Sequence, residues 1–351
     1  MEDYKIYKNG KTYDATEEQC NIFRFIQQGY GNAVINAAAG SAKTTTIENA
    51  IRYIPTDKKV LFVAFNKDVC EEIKKDISKT NPNATISTFH SLGYSLLLNC
   101  LPQNKLEVYE HKYNKYITEN IDVLTSYGET ASLGRSRSRY MKNIFRLLEY
   151  SRYYCVMKIN DIKSLIDIYG DIVLIRDEVD VVRKVLIWGQ EHLDTIDYTD
   201  MTWLPNVLNL ITKKIKYKYI FVDEAQDVTI AEERIIEKVK DRSCRLITVG
   251  DEKQRINVWC GASAKAFDNF KNAENTQEFS LSTSFRLPKI GEKLIHDTFP
   301  NIKIFAADNA IEGKINYNVS LSMVRPYSMV LCRNTMPLIN SMLEVMLMNK
   351  K

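Results

Sequence analysis

Two segments of the chain carry residue types that could act on a phosphoryl group. The first is Ala37-Ala38-Ala39-Gly40-Ser41-Ala42-Lys43-Thr44. It has the spacing of a phosphate-cradling loop, with alanine at both positions where glycine is usual. A tight loop running into a helix aims backbone N–H groups at phosphate oxygens. In that reading Lys43 supplies a point charge to the β- and γ-phosphates and Thr44 a hydroxyl to Mg²⁺. Ala39, Gly40, Ser41, Ala42 and Thr45 complete the candidate nucleotide-binding set. The Ala42 methyl falls where backbone should approach phosphate closely, and alanine disfavours positive φ. The alternative reading is a small-residue helix start packed on a sheet. The second segment is Asp223-Glu224-Ala225-Gln226-Asp227, after an apolar run. Carboxylates at the end of a buried strand are costly unless they meet a metal or donors. Asp223 is therefore the candidate Mg²⁺ partner and Glu224 the candidate group that polarises an attacking water. An isolated Asp-Glu pair is more often an acidic cap at a strand-to-helix turn; the loop at 37–44 tips the reading toward chemistry.

Such residues need elements that bring them together. Four short apolar runs can do so: Ala33-Val34-Ile35, Val60-Leu61-Phe62-Val63, Tyr219-Ile220-Phe221-Val222 and Leu246-Ile247-Thr248-Val249. None alternates polar with apolar, as expected of strands buried on both faces. Helical patterns follow, for example from Cys70 to Ile77 and from Ile230 to Lys238. Together they predict an α/β fold with a parallel sheet, in which ligands sit at the carboxyl ends of the strands. The stretch between Leu98 and Trp203 is Tyr-rich and helical in period, so it reads as an insertion. The expected organisation is a first α/β domain in two parts, 1–97 and 204–280, a helical insertion at 98–203 and an incomplete second domain at 281–351. Met329-Val330-Leu331-Cys332 is a candidate strand of that last part.

Further motifs lie in order along the chain. They are Thr16-Glu17-Glu18-Gln19, Ala64-Phe65-Asn66-Lys67, Thr88-Phe89-His90-Ser91, Val249-Gly250-Asp251-Glu252-Lys253-Gln254 with Ile256, Trp259, Gly261 and Ala262, and Ser284-Phe285-Arg286. With the phosphate loop and the acidic segment, this series resembles the UvrD/Rep family of superfamily 1 helicases. The resemblance implies a RecA-like P-loop fold, ATP and Mg²⁺ as ligands, and single-stranded DNA or a duplex junction as partner, with RNA left open. It implies an ATP-hydrolysing translocase moving 3′ to 5′. It places Gln19 on the adenine edge. Gln254 follows a strand end and could reach a γ-phosphate. Arg286 would be a cation from the second domain, and Phe285 a stacking surface for adenine. Phe65 and Trp259 offer faces to unpaired bases, although either alone would more often be a core aromatic. Asn66, Thr88 and His90 are the polar candidates on the strand path; His90 alone would more often be structural. Asn257 and Cys260 stand where the family often has Tyr and Arg, and no counterpart of two late motifs follows Arg333. The expectation is thus a chain that binds ATP, hydrolyses it poorly alone and lacks a C-terminal motor segment. The alternative is a nucleotide- and single-strand-binding module without unwinding. A P-loop metabolite kinase would leave Thr88–Ser91 and Asp251–Gln254 unexplained.

The insertion has its own candidate. Arg135, Arg137 and Arg139 open a basic stretch continued by Lys142, Arg146 and Arg152, with Tyr140, Tyr150, Tyr153 and Tyr154 between them. Arginines among aromatics suit a groove that tracks a nucleic-acid backbone, while the plainer reading is a solvated helix face. Composition alone does not decide, because 48 basic against 44 acidic residues leave a formal charge of only +4. Neither a secretory signal nor a membrane-length apolar run is visible, and the seven cysteines are scattered without metal-site spacing. Free thiols in an intracellular setting, cytoplasmic or nuclear, are expected.

Overall fold

The computed structural model describes residues 4–8, 10–102, 106–128, 130–255, 264–318, 320–323, 325, 328–332 and 334–348, with the backbone alone for Ala131, Ala264 and Lys265. Two compact units divide it, Met1–Ser284 and Phe285–Lys351.

The first unit opens with an antiparallel hairpin, β1 (Lys5–Lys8) and β2 (Lys11–Asp14). Helix α1 (Glu17–Gln28) follows, started by a capping box in which Thr16 and Gln19 satisfy each other's backbone N–H. Then come β3 (Asn32–Ala37), α2 (Lys43–Ala50), β4 (Val60–Val63), α3 (Lys67–Ile77), β5 (Ala84–Ser87) and α4 (Phe89–Cys100). After a helical segment the sheet resumes with β8 (Tyr217–Val222), α10 (Ile230–Val239), β9 (Lys240–Gly250), α11 (Ala264–Asn272) and β10 (Thr276–Leu281). The six strands pair in parallel in the order β10-β3-β9-β8-β4-β5. This is the α/β, P-loop type of sheet expected. The four predicted strands form its centre; β5 and β10, at the edges, were not foreseen.

The central strands are continuous apolar runs because each contributes to two cores. Ile35, Phe62, Phe221 and Ile247 pack on one face with Phe23, Ile47 and Ile73 of α1, α2 and α3. Val34, Leu61, Ile220 and Leu246 point the other way, to Leu92, Ile235 and Phe267 of α4, α10 and α11. Successive side chains of a strand alternate faces, so both faces demand apolar residues. The pairings Asn36↔Gly250, Val222↔Thr248, Val63↔Val222 and Val63↔Ser87 bring the carboxyl ends of five strands level. The loops after β3, β4, β5, β8 and β9, which carry the phosphate-loop, Ala64–Lys67, Thr88–Ser91, acidic and Asp251–Gln254 motifs, therefore leave the same rim of the sheet.

The intervening segment holds β6 (Glu107–Val108), α5 (Lys112–Leu124), α6 (Arg137–Tyr153), α7 (Ile159–Tyr169), α8 (Glu178–Glu191), β7 (Thr195–Ile196) and α9 (Tyr198–Val207). These helices share a third core around Tyr140, Val182 and Trp203. Buried charges lie inside it: Lys112 bonds Asp200 at 2.9 Å, Arg152 bonds Asp197 at 2.6 Å, and the Tyr113 hydroxyl donates to Asp200 at 2.7 Å. The core is joined to the sheet by α4 and α9, which cross at Gly93. A Cβ there would lie 1.9 Å from the Met201 carbonyl oxygen, so only glycine fits.

The second unit contains α12 (Lys289–Thr298) and α13 (Thr335–Leu347). The predicted strand Met329–Cys332 is not one: those residues have no regular structure. Leu331 is 82% exposed, and among the described residues no neighbouring strand accepts the segment's backbone hydrogen bonds, so its apolar pattern alone does not make a strand. No helix among the described residues is long and apolar enough to cross a membrane. The six described cysteines are free thiols.

Candidate nucleotide site

The loop between β3 and α2 is held at both ends. The Ala38 N–H donates to Leu281 O (2.8 Å), the Ser41 N–H to Ala38 O (3.1 Å), and the Ser284 hydroxyl to Ala39 O (2.7 Å). Gly40 has φ 76°. Ala42 takes φ 60°, ψ 39°, the left-handed conformation that its Cβ disfavours, and caps α2 with no side-chain bond. The first amides of α2 thus keep the unsatisfied N–H groups of a helix start. The buried Ser41 Oγ has no hydrogen-bond partner among the described residues. An orphan hydroxyl beside free helix-start amides suits an anionic oxygen ligand.

The acidic segment meets this loop directly. Lys43 Nζ donates to Glu224 Oε2 at 2.7 Å, and Thr44 Oγ1 donates to Asp223 Oδ2 at 2.6 Å. The four residues come from the ends of β3 and β8, with β9 between those strands. Burial pushes the Asp223 carboxyl above its ordinary value, opposed by the Thr44 hydroxyl; the neighbouring Glu224 charge raises it further. Glu224 sits in the left-handed region at φ 50°, ψ 43°, a conformation that costs energy outside glycine and clusters at functional sites. Thr44 and Asp223 present two hard oxygens side by side, the donor type Mg²⁺ prefers. These residues fit a divalent cation with a phosphate ligand.

Other predicted residues fall into place differently. Gln19 is buried beside α2, and its amide is engaged: Oε1 accepts from Thr16 N–H (3.0 Å) and Nε2 donates to Thr46 Oγ1 (2.9 Å). Thr45 is buried, and its hydroxyl accepts from Lys8 Nζ at 2.9 Å. Gln254 lies on a short turn and donates to Asp251 Oδ2 at 2.6 Å. Phe65 is 59% exposed at the end of β4. Asn66 caps α3 through the Val69 N–H, and Thr88 caps α4 through the Ser91 N–H; both side chains have a local structural task. His90 meets Tyr198 edge-on at 6.4 Å. Trp259 lies outside the described residues. Phe285 and Arg286 belong to the second unit, where both are exposed.

The basic stretch divides. Arg135, Arg137 and Arg139 are exposed at the start of α6, with Arg137 Nε donating to Thr130 Oγ1 at 3.2 Å. Its later members are corrected by the structure: Arg152, Tyr140 and Tyr150 are buried in the helical core, and Arg146 pairs with Asp171. The inner face of α6 runs through Tyr140, Ile144, Leu147 and Ser151 at spacings of four, three and four, and Tyr150 and Arg152 flank Ser151. Gln226 carried no role in the sequence reading, yet it is buried between Glu224 and Asp251. A polar residue four positions past the end of β8 gave no signal of that burial.

A phosphate loop facing paired carboxylates at the carboxyl rim of a parallel sheet defines a P-loop nucleotide-binding fold of the RecA-like type. Within that class, the chain belongs to the UvrD/REP helicase family: the model of the UvrD/REP helicase N-terminal domain matches residues 16–275. It is similar to the ATP-dependent DNA helicase Rep of Buchnera aphidicola subsp. Baizongia pistaciae, 24% identical over 303 residues, covering 79% of this chain and 43% of that protein. It is similar to F-box DNA helicase protein 1 of Schizosaccharomyces pombe, 26% identical over 326 residues, covering 86% and 35%. The ATP-dependent DNA helicase PcrA of Bacillus subtilis is 24% identical over 280 residues, covering 74% and 36%. The chain spans less than half the length of these curated relatives.

Proposed function

We propose that the chain is the ATP-binding part of a DNA helicase, and that its first unit holds MgATP at the loop 39–45. The observation that carries this reading is the double link Lys43–Glu224 and Thr44–Asp223. Each candidate phosphate-side donor touches a candidate metal- or water-side acceptor. Lys43 leaves Glu224 for the phosphates, which frees the Glu224 carboxylate to orient water for in-line attack. Asp223 and Thr44 hold Mg²⁺, which when bound neutralises charge on the phosphates. Gln254 faces the same rim from β9 and reports the phosphate state; Arg286 and Phe285, in the second unit, are the cation and adenine-stacking face that the family resemblance suggests. We further propose translocation on single-stranded DNA, 3′ to 5′ as in the family, with Phe65, Asn66, Thr88, His90, Trp259 and the three exposed arginines along the strand path. In this reading residues 98–203 are a helical insertion in the first motor domain.

The test is a MgATP titration of the wild-type chain and Lys43→Ala, with thermal unfolding in parallel. Lys43→Ala should bind about 10- to 100-fold more weakly, the worth of a hydrogen bond to a charged group, and unfold at a similar temperature. Equal affinity in the two proteins refutes the site.

A further inference from the structure

We infer that Gln226 is a positioning residue that ties the Glu224 carboxylate to the turn bearing Asp251 and Gln254, making the Lys43–Glu224 contact legible at that turn. The inference rests on the nucleotide reading above. Gln226 is 2% exposed. Its single amide makes two bonds in opposite senses: Nε2 donates to Glu224 Oε2 at 2.8 Å, and Oε1 accepts from the Asp251 N–H at 3.0 Å. Glu224 Oε2 is the same oxygen that accepts from Lys43 Nζ at 2.7 Å. Beyond Gln226, the Asp251 carboxylate accepts from the Lys253 N–H at 3.0 Å and from Gln254 Nε2 at 2.6 Å. An unbroken series of hydrogen bonds thus runs from the phosphate-loop lysine to Gln254.

The chemistry of the link is specific. Position 226 must donate to a carboxylate and accept from a backbone N–H. A neutral amide does both, a carboxylate would oppose Glu224, and a thioether cannot donate to Glu224 and accepts only weakly from the Asp251 N–H. The neighbouring residue is fitted to it as well. A Cβ at Gly250 would lie 2.5 Å from Gln226 Oε1, so any other side chain displaces the amide. Strands β8 and β9 are joined by their backbone ladder as far as Val222↔Thr248; past that point the Gln226 side chain bonds across to the Asp251 amide. When phosphate draws Lys43 from Glu224, the carboxylate keeps Gln226 as donor. Its movement is then passed to the Asp251 amide.

Hydrogen–deuterium exchange at the Asp251 amide reads the link directly. In the nucleotide-free protein, Gln226→Met should speed exchange of that amide about fivefold, the effect of one lost hydrogen bond. In wild type, saturating MgATP should change exchange across Asp251–Gln254. In Gln226→Met and in Gly250→Ala that change should disappear while both variants still bind MgATP. Persistence of the MgATP-dependent change in both variants overturns the inference. If the wild-type chain fails to bind MgATP, the nucleotide reading falls instead. An unaltered Asp251 exchange rate in nucleotide-free Gln226→Met then overturns the bridge by itself.

Discussion

Ala42→Gly should stabilise the protein, an unusual sign for a substitution in a phosphate loop. Ala42 holds φ 60°, ψ 39° at the start of α2, and the left-handed region costs a residue with a Cβ roughly 1–2 kcal/mol. Glycine removes that cost but gives up about 0.5–1 kcal/mol through the greater freedom of the unfolded chain. The balance is a gain of about 0.5–1 kcal/mol. For a unit of 284 residues, an unfolding entropy of about 2.1 cal/mol/K per residue gives roughly 0.6 kcal/mol/K, so the midpoint should rise by about 1–2 °C. Ala42→Val supplies the opposite sign, because a β-branched residue is a genuine outlier at positive φ. Differential scanning calorimetry of the three proteins, with MgATP titrations alongside, measures both effects. A lower midpoint for Ala42→Gly, or no loss for Ala42→Val, would refute the assignment of strain to this loop. Most substitutions destabilise, so a rise is not what an unremarkable loop position would give.

Glu224→Gln should keep MgATP affinity and lower turnover by about 10²–10⁴; single-turnover hydrolysis checks this, and undiminished turnover removes Glu224 from the reaction. Replacing Arg135, Arg137 and Arg139 with Ala should flatten the salt dependence of single-strand binding, with the log–log slope falling by about 0.7 for each lost phosphate contact; an identical slope makes the run a solvated face. Burial raises the Glu232 carboxyl from 4.5 to about 7, against the Thr229 bonds that lower it. The unfolded chain releases this proton first, so the folded state holds more protons between those values and stability falls as pH rises across them. Glu232→Gln should flatten that part of a urea-denaturation profile, and an unchanged profile would disprove the shift. Chelation of Mg²⁺ should weaken ATP binding at least tenfold in isothermal titration; metal-independent affinity would remove Asp223 and Thr44 as its ligands.

Much of this was legible because buried parallel strands leave a plain mark. Val60–Val63 and Tyr219–Val222 are apolar without alternation since each serves two cores, and Asp223 and Glu224, which end the second run, belong to the candidate site. The edge strand Ala84–Ser87 is partly exposed on one side, so it carries no such run. Arg152 and Tyr140 misled for the opposite reason. Composition shows that a helix is rich in Arg and Tyr, but only the packing shows which face turns inward, and Asp197 and Asp177 arrive from elements 45 and 37 residues away to receive them. Asn66 and Thr88 resembled ligand contacts as motif letters, yet their types and positions are also those of helix caps. Gln226 could not be picked out at all, because its partners come from two strand ends.

The charge balance of the site explains why its parts face each other as they do. Lys43 brings one positive charge to the rim, while Glu224 and Asp223 bring two negative ones within 2.7 Å of Lys43 and Thr44. A polyphosphate arriving alone would meet a net negative wall, and only one lysine would favour it. A divalent cation held by Asp223 and Thr44 would reverse that balance, and the helix-start amides of α2 would then add their partial positive charge. The Lys43–Glu224 pair keeps both groups partnered until phosphate competes for the lysine. Breaking a partly buried pair is costly unless each member finds a new partner. A bound phosphate would supply one for Lys43, and Gln226, already in place at 2.8 Å, would remain for Glu224. The same carboxylate would therefore stay partnered as the lysine leaves, and its shift would be carried by Gln226 toward the Asp251 amide.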